Sequence, residues 1–215
     1  MDIKIVEEKV IEKMSAPLKV YGYKYINAKS YFVRREEGRE IRVVPIFTKW
    51  SSSSSVLLSA FLHVRFDQIE EVLNKYRSYV TTKKMADSSV TIVKNILETP
   101  QCDVVVDRLN VDDECDVNPA VEYMLDLLDT CLAINHNYVS NVNILDFQSF
   151  VDLEEDSPSL ECGCENLLAM AMIRNNVEDF DKLVSECREK IIFYKKDYYL
   201  PDFEKIVDGL RGELR

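Results

Sequence analysis

The sequence predicts an α+β fold, and three observations predict it. Residues 20–66 alternate aromatic and β-branched with polar positions, as a meander does. A helical apolar stripe follows at once, from Asp67. From residue 118 onward the apolar spacing is helical for most of the chain. The expected architecture is a mainly antiparallel β-meander of about four to six strands, with packing helices and a helical C-terminal half. The expected division is residues 1–117 for the sheet part and 118–215 for the helical part, packed on the same core.

The first element is an amphipathic helix over residues 2–14. Asp2 can cap it, and Ile3, Val6, Val10 and Met14 share a face. A further turn starts near Pro17 and carries Leu18 inward, either as a kinked continuation or as a second short helix, until Gly22 ends it. Strands follow over Tyr23–Ile26, Ser30–Arg35 and Ile41–Trp50, with a bend at Asn27-Ala28-Lys29 and a hairpin turn at Glu36-Glu37-Gly38. Pro45 has no N–H to give to a ladder, so it belongs at an edge or a bulge. Ser51–Ser55 reads as a solvated loop.

Val56–Phe66 has the clearest alternation in the chain. Val56, Leu58, Ala60, Leu62, Val64 and Phe66 form one face, and Leu57, Ser59, Phe61, His63 and Arg65 form the other. Asp67 and Glu70 stand at capping-box spacing before a stripe of Ile69, Val72, Leu73, Tyr76 and Val80. Two further strands are expected at Val90–Val93 and Asp103–Arg108, although Ile92, Ile96 and Leu97 also fit a helix. Asn118-Pro119 and Ser157-Pro158 are helix-start signals, Asn176 caps another helix, and Pro201 opens the last one. The segment 135–153 carries no decisive pattern.

Composition narrows the function classes. At 215 residues the chain buries roughly 70% of its unfolded surface on folding, so stability requires neither disulfide nor metal. The net charge of −11 repels phosphate backbones, so nucleic acid is not an expected partner, whereas a basic protein is. No run of 18 apolar residues is present, so no membrane-spanning helix is expected. The opening MDIKIVEEKVIEKM has neither the basic start nor the continuous apolar run of a signal peptide, and a cytoplasmic location is expected. Six cysteines without a C-x-x-C pair fit reduced thiols.

Catalytic and cofactor signatures are sparse, and no cofactor or metal is expected. Cys162-Gly163-Cys164 is one close pair where a structural zinc site takes two. His63 and His136 are the only imidazoles, and no G-x-S-x-G, Walker A or G-x-G-x-x-G motif occurs. Asp103, Asp107, Asp112, Asp113, Glu114 and Asp116 are crowded together without the glycine and spacing of a calcium loop. They are the candidate docking surface for a basic partner. Tyr31, Arg34, His63 and Arg65 are the alternative, a ligand face on the open side of the sheet.

Leu18, Gly22, Tyr23, Lys24, Tyr31, Phe32, Arg34, Trp50, Ser51 and the strand Val56–Phe66 occur in an order that resembles a bacterial domain of unknown function. That family is found in small cytoplasmic proteins and is sometimes grouped with immunity proteins of polymorphic toxin systems. The resemblance runs from the N-terminus to about residue 80 and consists of fold-forming residues, with no active site to carry over. It implies a non-enzymatic binding protein of immunity type, whose partner would be a basic toxin domain. The alternative expectation is a small-ligand-binding protein or enzyme using the sheet face.

Overall fold

The first helix shows how local sequence sets the frame. In the computed structural model, which describes residues 2–51, 54–98, 109–141 and 160–214, α1 runs Ile3–Val20. Asp2 caps it, its carboxylate accepting from the Lys4 N–H at 3.0 Å. Val6, Val10, Met14 and Leu18 are fully buried at four-residue spacing. Pro17 is accommodated inside a single helix. The helix ends in a Schellman pattern, with Tyr23 N–H on the Leu18 carbonyl and Gly22 N–H on that of Lys19, both at 3.0 Å. Gly22 takes the positive φ of 82° that this pattern demands.

The meander follows as β1 (Lys24–Ile26), β2 (Tyr31–Glu36), β3 (Arg39–Thr48) and β4 (Val56–Phe66). A 3₁₀ turn over Asn27–Lys29 separates β1 from β2, and Gly38 (φ 72°) turns β2 into β3. With β5 (Ile92–Asn95) and β6 (Leu109–Val111) they form a six-stranded sheet ordered β1-β2-β3-β4-β5, with β6 paired to β4. The β1–β2, β2–β3 and β4–β6 pairs are antiparallel. The β2–β3 register runs from Glu36↔Arg39 to Phe32↔Val43, so Pro45 lies beyond the last pair on that side. β4 buries all six of its even-numbered residues while the odd ones stay half-buried. Each of these side chains other than Ala60 contributes roughly 1.5–3 kcal/mol by leaving water.

Two compact units result, interleaved in sequence: Met1–Val64 with Val93–His136, and Arg65–Ile92 with Asn137–Arg215. In the first, α1 packs on β1 and β3. α4 (Val117–Asn141), which belongs to this unit up to His136, buries Val117, Val121, Met124 and Leu128. In the second, α2 (Asp67–Leu73), α3 (Lys83–Ser88), α5 (Leu160–Ile173), α6 (Val177–Phe193) and α7 (Leu200–Glu213) assemble as a helical cluster. α5 packs on α2, α6 and α7. It is accordingly apolar nearly all round, burying Cys164, Leu168, Ala169, Met170, Ala171 and Met172.

Several local expectations change. The helix after β4 ends at Leu73 rather than Val80, and no capping box forms, because Phe66 is its N-cap and Glu70 turns inward. Residues 83–98 are neither all strand nor all helix: α3, then β5, then a 3₁₀ turn at Ile96–Glu98. α4 starts at Val117, and a capping box of Asp113 and Asp116 around the 3₁₀ turn Glu114–Asp116 replaces the expected Asn118 cap. Phe180, Leu183, Val184, Cys187 and Ile191 form the buried stripe of α6, and the spacing that would add Tyr194 fails because that residue lies past the helix end and is 60% exposed. The expected strand 103–108 and the Ser157-Pro158 start lie outside the described residues.

Candidate functional site

Strand alternation decides which of the sheet residues meet. Val33 pairs with Arg42 and Arg35 with Glu40, so Tyr31 shares their face. Arg34, opposite Ile41, belongs to the other one. On the first face the Arg42 guanidinium stacks over the Tyr31 ring at 5.2 Å and donates to Glu40 at 2.5 Å, while Arg35 donates to the other Glu40 oxygen at 2.8 Å. Burial would raise the Glu40 carboxyl, but the bonds and charges of Arg42 and Arg35 outweigh it and hold it below the usual range. His63, on β4, is pushed down to about 4 by burial and by the Arg42 charge, so its imidazole is neutral at pH 7. No described residue is hydrogen-bonded to it.

Arg34 and Arg65 do structural work elsewhere. Arg34 stacks on Tyr23 at 5.3 Å, donates to the Tyr21 carbonyl at 3.3 Å and pairs with Glu36 at 2.7 Å. Arg65 ties the end of α3 to the start of α2, donating to Asp67 at 2.9 Å, to the Ala86 carbonyl at 2.7 Å and to the Ser89 hydroxyl at 2.9 Å. Within the ligand-face set, Tyr31 and His63 share one neighbour, Arg42, which stacks on the first and whose charge acts on the second.

Among the acidic candidates, Asp103 and Asp107 lie outside the described residues, as does the Glu114 side chain. The other three organise the turn before α4. Asp113 accepts from Cys115 N–H at 2.6 Å. Asp116 accepts from Asp112 N–H at 2.9 Å and from Asp113 N–H at 3.0 Å, and the Ser55 hydroxyl donates to Asp112. Their charges remain at the surface: Asp112 and Asp113 are exposed, and Asp116 is partly so. The acidic character continues along α4 in Glu122, Asp126 and Asp129, all exposed. Glu122 and Asp126 make no ion pair with any described residue. This continuation was missed from the sequence; the spacing of four and three, beside an apolar stripe, was the available signal.

The strongest polar constellation lies in the second unit, and it too was missed. Arg77, 5% exposed, sits between Glu70 and Glu165, which are 0% and 1% exposed. It donates to Glu70 at 2.7 Å and to Glu165 at 2.6 Å. Tyr199 donates to the second Glu165 oxygen, and Thr91 donates to Glu70 at 3.0 Å. Burial works against the Arg77 charge, but both carboxylates raise its basicity overall. Burial and the Glu165 charge push the Tyr199 phenol up. Acid, base and phenol are present, but every one is enclosed and engaged with another, so the cluster acts as a structural brace. No group of three His, Cys, Asp or Glu that could hold a metal occurs among the described residues, and no described helix is long and apolar enough to cross a membrane.

Comparison with protein-family models, curated proteins and solved structures finds no match to the chain.

Proposed function

We infer that the protein acts by binding a basic protein through the exposed acidic surface running from Asp112 along α4. One observation carries this: Asp112, Asp113, Glu122, Asp126 and Asp129 are exposed along one continuous segment. The interior carboxylates Glu40, Glu70 and Glu165, by contrast, are each engaged in an ion pair with Arg42 or Arg77. Exposed like charge steers an oppositely charged partner and raises its association rate.

The most concrete form of this reading is an immunity-type protein of a bacterial cytoplasm that neutralises a basic toxin domain. The resemblance carried by Leu18–Phe66 and the net charge of −11 support it. The test is affinity capture from the native host with the wild type and with Glu122→Lys/Asp126→Lys. A basic partner should bind at low salt, be released at high salt, and be lost with the variant. If no partner binds even at low salt, the reading is wrong.

A further inference from the structure

Resting on that reading, we propose that a groove between the end of α1 and the middle of α4 docks a basic amphipathic segment of the partner, which inserts one bulky apolar side chain and sets Lys or Arg against Asp129. The groove lies within the first unit and encloses about 170 Å³. Leu18, Val20, Leu125 and Leu128 supply its apolar lining, and Tyr21 and Asp129 its polar part. The neighbouring Asp129 carboxylate holds the Tyr21 phenol above its usual range. Sites for drug-sized ligands enclose roughly 300–1,000 Å³. This one has room for a single anchoring side chain.

Exposure and charge specify the occupant. Val20 is 83% exposed and Tyr21 44%, an apolar helix end left in water. On α4, Glu122, Asp126 and Asp129 run as an acidic stripe directly beside Leu125 and Leu128. The last turn of α1 adds the negative end of a helix dipole. The exposed Val20 and Tyr21 and the half-buried Leu125, with Leu18 and Leu128 buried beneath them and an acidic line alongside, complement a segment with an apolar face flanked by Lys and Arg. A second copy of this chain would bring the same acidic stripe against itself, so self-association through the groove is opposed by like charge.

The experiment is a titration of the intact ¹⁵N-labelled protein, at low salt, with a short synthetic peptide carrying Lys and Arg along one helical face and Leu and Trp along the other. Chemical-shift changes should centre on Leu18–Tyr21 and Leu125–Asp129. The surface changes Val20→Glu and Asp129→Lys should each weaken binding about tenfold or more while the remaining spectrum stays that of the folded protein. The same peptide with Glu in place of Lys and Arg should not bind, and equal binding would overturn the charge argument. If shifts fall on Asp112–Asp116 and both variants bind like the wild type, the groove is overturned while the acidic-surface reading stands. If the peptide does not bind although the host partner is still captured, the groove alone is overturned. Loss of both defeats the reading on which it rests.

Discussion

Arg77 shows how much of the second unit depends on one side chain. Two buried carboxylates face one buried guanidinium, so removing the cation leaves like charges together in the interior. Arg77→Met should destabilise the protein by about 3–5 kcal/mol. Urea unfolding measures this, and an unchanged midpoint would refute the bracing role. None of this was legible in the sequence, where Glu70 reads as a capping-box residue and Glu165 and Tyr199 lie about ninety residues or more beyond Arg77 with no pattern to join them. The one local hint is the adjacent pair Glu165 and Asn166, both buried, which interrupts the apolar spacing of α5. His63 gives a pH signature. Its folded pKa of about 4 lies below its ordinary 6.5, so the unfolded chain binds the extra proton between those values. The stability contributed by neutral His63 is complete above pH 6.5 and is lost as pH falls towards 4. His63→Phe should flatten stability across that window; an equal slope in both proteins would contradict the assignment.

Glycines in one helix separate packing from propensity at the scale of the element. A glycine inside a helix ordinarily costs about 1 kcal/mol relative to alanine. At Gly212 a Cβ would meet nothing within 4 Å, so Gly212→Ala should stabilise by about 0.5–1 kcal/mol. At Gly209 a Cβ would overlap the Tyr76 ring, whose hydroxyl is held by Glu213. Gly209→Ala should therefore destabilise, by about 1–3 kcal/mol as overpacking does. Thermal unfolding of the two variants decides it, and shifts of the same sign would show that α7 does not pack on Tyr76. Elements whose residues all serve one local pattern were readable: β4 has the expected bounds and burial, and Asn176 does cap α6. Failures came where tertiary partners competed. Asp67 and Glu70 have capping spacing, yet Arg65 takes the first and Arg77 the second. Tyr31 and Arg34 were grouped by proximity in sequence, although an odd spacing in a strand sends them to opposite faces.

At the scale of the whole molecule, charge and fold class were visible from composition and periodicity, but the interleaving of two units was not. Residues 65–92 and 137–215 make one unit and residues 1–64 and 93–136 the other, a pairing over distances that local pattern does not encode. With a net charge of −11, the acidic surface of the first unit should govern the speed of encounter with a basic partner more than the lifetime of the complex. The direct test is the association rate of the captured partner as a function of ionic strength, for the wild type and for Glu122→Lys/Asp126→Lys/Asp129→Lys. The account predicts a wild-type rate that falls steeply with salt and a variant that associates slowly with little salt dependence. Equal rates and equal salt slopes for the two proteins would contradict it.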